Sequence, residues 1–179
     1  MRIIGGKYRG KKLFSPTSEN VRPTSDKARE ALFNIMRNRL KDGFYSLKII
    51  DVFSGSGAFA LEALSQGFAK VVMVDIDVKD LQKNVKMFDA EKNKIEIVKA
   101  DATKTLPLNE KFDVLFMDAP YNKGLTQKAL LSVAQLLNNG ALCMIELHKN
   151  EVCDFPENYH IIDERNYGVA KVVIAEFIL

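Results

Sequence analysis

The chain has 179 residues, 47% hydrophobic and 27% charged, which places it among ordinary globular proteins with a sizeable core. No run approaches the roughly 18 apolar residues of a membrane span. The opening MRIIGGKYRG lacks the apolar stretch of a secretion signal, and Cys143 and Cys153 fit neither a disulfide framework nor zinc spacing, so a cytoplasmic protein without metal is expected. The net charge of +3 is unevenly spread: residues 1–41 hold 11 Lys/Arg against three acids, and the remainder 15 against 20. A basic end on an acidic body points to a polyanion as the partner of that end.

RIIGG and YRGKKLF flank Gly5-Gly6 and predict a short hairpin with a glycine turn. FSPTSENVRPTS reads as a polar loop. A helix is expected to start near Thr24 as N-cap, with Ala28, Ala31, Leu32, Ile35, Met36 and Leu40 as its buried face and Arg29, Arg37 and Arg39 off that stripe. From Leu47 the pattern changes. KIIDVF, KVVMVDI, KIEIVKA, FDVLFMD and ALCMIEL are short apolar runs. Amphipathic stretches (FALEALSQG, VKDLQKNVKMFDAE, TQKALLSVAQLLNN) separate most of them. Near-continuous apolar strands alternating with helices imply an α/β fold, a parallel sheet covered on both faces. NYHIIDERNYG and AKVVIAEFIL leave no room for a helix between them and predict an antiparallel pair. Residues 1–23 are thus expected to form a basic extension and residues 24–179 the main domain.

The first strand runs into DVFSGSGAFALEAL. Gly55 and Gly57 permit a tight turn that brings backbone close to a ligand at a helix N-terminus. Gly55 to Ala60 satisfies G-x-G-x-x-A and Asp75 closes the next strand, which read literally is a dinucleotide fingerprint. Two features favour a different adenosine ligand. Asp51, four residues before Gly55, would repel a pyrophosphate and suits a cationic ammonium or sulfonium. Asp101 in VKADA adds a third acid at a third strand end. The set suits S-adenosylmethionine: Asp51 near the methionine portion, Asp75 on the ribose hydroxyls, Asp101 on the adenine amine. Asp77 rivals Asp75 and more naturally caps the following helix.

The fourth strand ends in Asp118-Ala119-Pro120-Tyr121. Proline keeps Ala119 extended and leaves its carbonyl free to accept. An exocyclic amine on a base is a poor nucleophile because its lone pair is delocalised. The Asp118 carboxylate and the Ala119 carbonyl can hold its hydrogens and turn that lone pair toward a methyl donor. Tyr121 can stack on a base drawn out of its helix. A carboxylate matches the adjacent N1–H and N2 donors of guanine better than adenine's donor–acceptor pair.

These residues resemble class I S-adenosylmethionine-dependent methyltransferases of the D/N-P-P-Y type. With RIIGGKYRGKKL and VRPTSDKAREALFNIM added, the chain resembles from end to end the RsmD family, the bacterial 16S ribosomal RNA guanine-N2 methyltransferases. The resemblance implies a Rossmann-like seven-stranded sheet with its last strand antiparallel, and methylation of one guanine in 16S rRNA within a 30S subunit or assembly intermediate. It assigns Asp118, Ala119, Pro120 and Tyr121 to the base, with Ala119 where the family has a first proline. Asp51, Phe53, Ser54, Gly55, Gly57, Asp75, Ile76, Asp101 and Ala102 form the expected cofactor set, with Asn84 and Glu146 supporting. Arg2, Lys7, Arg9, Lys11, Lys12, Arg22 and Arg29 are expected to meet RNA phosphates, and the chain to act as a monomer. The alternatives are another acceptor amine (DNA or RNA adenine, or a protein amide), a nicotinamide-dependent oxidoreductase, and a non-catalytic RNA-binding module.

Overall fold

In the computed structural model, residues 1–14 and 25–179 are described. Seven strands form one sheet: β1 (Lys48–Val52), β2 (Lys70–Asp75), β3 (Ile95–Lys99), β4 (Phe112–Asp118), β5 (Leu137–His148), β6 (Tyr159–Tyr167) and β7 (Ala170–Phe177). Their spatial order is β3-β2-β1-β4-β5-β7-β6. β1 to β5 are parallel, and β7 runs antiparallel between β5 and β6. The expected Rossmann-like methyltransferase sheet is therefore present. Its order reverses between β1 and β4, where ligands of open α/β sheets bind.

The central strands are buried on both faces, as their unbroken apolar runs require. Ile49, Met73, Phe116 and Met144 face helices α1 (Asp26–Arg39), α2 (Ala58–Ser65) and α3 (Lys79–Val85). Ile50, Val74, Leu115 and Ile145 face α4 (Leu125–Val133). On the first face Phe59 of α2 stacks on Phe116, centroids 3.6 Å apart and planes 3° apart, which seats α2 over β4.

Several boundaries differ from the sequence expectation. The N-cap of α1 is Ser25, whose hydroxyl accepts from the Ala28 N–H (3.1 Å); Thr24 lies outside the described residues. Ala28, Leu32 and Met36 are buried as expected, but Ala31, Ile35 and Leu40 only in part, and Phe33 and Arg29 complete the inner face. α3 stops at Val85; residues 86–94 wind as 3-10 turns broken at Phe88 (φ −118°, ψ 32°), which turns its ring into the core against Tyr8. Leu137 to Asn139 continue the helical pattern in sequence yet belong to β5, because Leu137 pairs with Phe112 and is buried.

The N-terminal hairpin pairs Arg2 with Lys12, but its turn spans residues 4–10 rather than the two glycines alone. Gly6 (φ 75°) is needed because a Cβ there would lie 1.8 Å from the Ser65 carbonyl oxygen. Ile3 and Leu13 join the core beneath α1 and α2, so this arm shares the main core rather than standing clear of it.

Candidate active site

Beyond β1 the backbone enters the left-handed region at Phe53 (φ 62°), Gly55 (53°) and Gly57 (76°). Ser54 straps this loop over the strand ends: its N–H and hydroxyl both donate to the Val74 carbonyl, at 3.1 and 2.9 Å. A Cβ on Gly57 would sit 2.3 Å from Leu81 Cδ1 and 2.9 Å from Met73 Sδ, so the approach of α3 fixes glycine there. Gly55 has no atom within 4 Å of such a Cβ, so the loop opens outward at this point. The Asp75 carboxylate accepts from Gly55 N–H (2.8 Å) and from Asp77 N–H (3.0 Å), which anchors the loop to the end of β2. Asp77 instead accepts from Lys79 N–H (3.2 Å) at the start of α3. Ile76, beside Asp75, is 68% exposed, an apolar surface at the mouth of the loop. Asp101 lies two residues past β3 rather than at its end. Thr103 donates to it through both N–H (3.0 Å) and hydroxyl (2.7 Å), which lowers its pKa. Ala102 is buried in the core.

Strand alternation puts Asp51, Asp118, Glu146 and His148 on one face. Phe116 pairs with Asp51, and two residues on Asp118 pairs with Glu146. Asp51 is buried and accepts from Ala60 N–H (3.2 Å) inside the first turn of α2. Burial pushes its carboxyl up to about 8, against the pull of that hydrogen bond. Asp118 is raised well above the carboxylate range by burial, then by Glu146 and Asp51. Among the described residues no cation pairs with either carboxyl. Such a site favours a positively charged ligand and disfavours a pyrophosphate.

Ala119 is buried and Pro120 exposed. The half-buried Tyr121 donates its hydroxyl to Glu146 Oε1 at 2.6 Å, and its ring meets His148 edge to face at 5.7 Å. Burial and the Glu146 hydrogen bond both raise the phenol's pKa, so it stays a donor. Glu146, expected only to support, and His148 thus wall the DAPY corner. The signal was E-L-H in ALCMIELH: residues two apart on a strand share a face.

The basic residues divide. Arg2, Arg9 and Lys27 line a cavity of about 310 Å³ together with Asp26 and Glu30. Lys12 is exposed. Lys7 bonds Glu91 (2.5 Å), and Lys11 donates to the Met87 carbonyl (2.7 Å), so both hold the 3-10 segment. Arg22 lies outside the described residues. Arg29 corrects the expectation: it is 1% exposed and clamps the arm to α1, donating to the Arg2 carbonyl (2.5 Å) and to Asp26 (2.9 Å), with Glu62 3.7 Å away. Glu62 in turn accepts from Ile4 and Gly5 N–H (2.7 and 2.8 Å), a role that sequence reading missed because the residues around it in α2 are apolar.

A family model described as conserved hypothetical protein 95 matches residues 1–176. Ribosomal RNA small subunit methyltransferase D of Haemophilus influenzae is 32% identical over 179 residues, covering 96% of this chain and 91% of the relative. The Escherichia coli K12 protein of the same name is 33% identical over 175 residues, covering 94% and 85%. Among solved structures, yhhF of Escherichia coli superimposes with a TM-score of 0.83 at 26% identity, over 100% of this chain and 98% of that one.

Proposed function

The chain belongs to the conserved hypothetical protein 95 (RsmD) family of methyltransferases, and from that premise we propose that it methylates the exocyclic N2 amine of a guanine in 16S ribosomal RNA, using S-adenosylmethionine. One observation carries the reading: Asp118, at the end of β4, shares an acidic face with Asp51 of β1, the strand that runs into the glycine loop, and Tyr121 is pinned beside it by Glu146.

The residues present fit the cofactor. Gly55 offers an open backbone cradle, Asp75 keeps lone pairs for ribose hydroxyls, Ile76 offers apolar surface to adenine, and Asp101 keeps one oxygen clear of Thr103. Asp51 and Asp118 stand where the cofactor is cationic, and its positive charge would favour their ionised forms against the burial that favours the protonated ones. When bound, the cofactor supplies an electrophilic methyl group on a sulfonium.

The protein's part is orientation. Ionised Asp118 accepts from the N1–H and N2 amine of guanine, and the Ala119 carbonyl accepts the remaining amine hydrogen. Both acceptors draw the nitrogen toward tetrahedral geometry, which takes its lone pair out of conjugation with the ring and leaves it pointing at the methyl donor. Tyr121 stacks on the base, and its hydroxyl anchor to Glu146 stops the ring from swinging.

The test is labelled methyl transfer to 16S rRNA and to small ribosomal subunits, followed by nucleoside mass spectrometry. N2-methylguanosine is expected. Asp118→Ala should lower turnover on the order of a hundredfold or more, since a charge-assisted acceptor is worth about 2–4 kcal/mol in the transition state. Labelled adenine, or no transfer to either substrate, defeats the reading.

A further inference from the structure

The N-terminal arm alternates like an edge strand. Ile3 and Leu13 point inward at 1% and 7% exposure, and Arg2 pairs with Lys12, so Arg2, Lys12 and Phe14 share the outward face. Phe14 leaves 60% of its surface in water. Its backbone is nevertheless held on both sides by one carboxamide. Asn84 Oδ1 accepts from the Phe14 N–H at 2.7 Å, and Asn84 Nδ2 donates to the Phe14 carbonyl at 3.1 Å. The same Nδ2 donates to the Ser56 carbonyl at 2.8 Å, which ties Phe14 to the glycine loop. Asn84 is fully buried, so this junction is rigid.

The surroundings are cationic. Lys83 Nζ lies 5.4 Å from the Phe14 ring centroid, held there by Asp80 at 2.8 Å. Lys12 has no acidic partner among the described residues, while Arg2 shares Asp26 at 3.4 Å. An exposed aromatic ring, fixed at its backbone and flanked by cations on its own face, is the arrangement that binds single-stranded nucleic acid. Bases stack on the ring, and the cations follow the phosphates. The cations favour this occupant over an apolar protein anchor.

We infer that Phe14 is a stacking platform for an unpaired RNA base beside the cofactor loop, distinct from the base presented to Asp118. The inference rests on the RNA-methyltransferase reading above.

The chain has no tryptophan, so Phe14→Trp keeps the aromatic face and installs a single fluorescent reporter. Its emission should be quenched when an unstructured RNA oligonucleotide is added, with RNA affinity at least equal to that of the wild type. Phe14→Leu should weaken RNA binding about tenfold. Its log–log salt slope should be unchanged, because no phosphate contact is removed. Binding of S-adenosylhomocysteine should be unaffected in both variants. Tryptophan emission that ignores RNA overturns the platform. So does wild-type RNA affinity in Phe14→Leu, or a weaker affinity with a shallower salt slope. If these binding signatures hold but the wild type transfers no methyl group to any RNA, the active-site reading fails while the platform stands.

Discussion

Glu146→Gln isolates one charge in the proposed site. Glutamine keeps an oxygen that can accept from the Tyr121 hydroxyl, so the anchor now spanning 2.6 Å can persist. What disappears is the negative charge paired in register with Asp118. Neighbouring strands lie about 4.8 Å apart, and two unit charges at about 5 Å repel by about 3 kcal/mol at an effective dielectric of about 20. Discounted for the partial exposure of Asp118, about 1–2 kcal/mol remains. The sign follows from the direction of the shift. Burial, Glu146 and Asp51 raise the Asp118 pKa, and the reaction needs the ionised carboxylate as an acceptor. Activity is therefore lost as pH falls through the raised pKa, and removing Glu146's charge lowers that pKa. Methyl transfer measured against pH, at saturating cofactor and RNA, should show the acidic limb of Glu146→Gln displaced to lower pH. On that limb the variant should be about tenfold faster than the wild type, with a similar plateau. An unmoved limb, or one displaced to higher pH, would refute the coupling between the two carboxyls. Tyr121→Phe is the complement: it keeps the charge and loses the anchor, so its limb should stay in place while its plateau falls.

Three further outcomes are expected. Asp51 has its carboxyl raised from 3.8 to about 8, so the folded state retains a proton that the unfolded chain gives up. This subtracts stability as pH rises from about 4 to about 8, and Asp51→Asn should restore up to about 5 kcal/mol on the alkaline side, measured by denaturant unfolding at both ends of that range. Gly57→Ala should cost about 2–4 kcal/mol and weaken S-adenosylhomocysteine binding, because φ is 76° and the new Cβ meets Leu81 and Met73; an unchanged denaturation midpoint would show that α3 can move aside. Arg9→Ala with Lys12→Ala should make the log–log salt slope of RNA binding shallower by about 2 without altering cofactor affinity, and an unchanged slope would remove both residues from the phosphate contacts.

Much of the fold was legible because central parallel strands carry their burial in sequence as unbroken apolar runs, and because glycines in a strand-to-helix turn have few other reasons to be there. KIIDVF, KVVMVDI and FDVLFMD became β1, β2 and β4 for the first reason, and Gly55 and Gly57 the left-handed turn between β1 and α2 for the second. The positions of Asp75 and Asp118 at the ends of β2 and β4 were legible too, whereas Asp101 lies two residues beyond β3. What sequence could not supply was partnership across the chain. Whether Arg29 faces RNA or protein depends on Glu62, 33 positions away, and on the Arg2 carbonyl, and the fold buried it. Nothing in the sequence joins His148 to Tyr121, its neighbour in space, because the two lie on either side of α4. Asn84 was expected to support the site, but only the fold shows that it does so by holding the Phe14 backbone. Apolar burial follows a short period and can be read locally. A buried polar group needs one particular partner, and only tertiary structure decides which distant residue arrives to satisfy it.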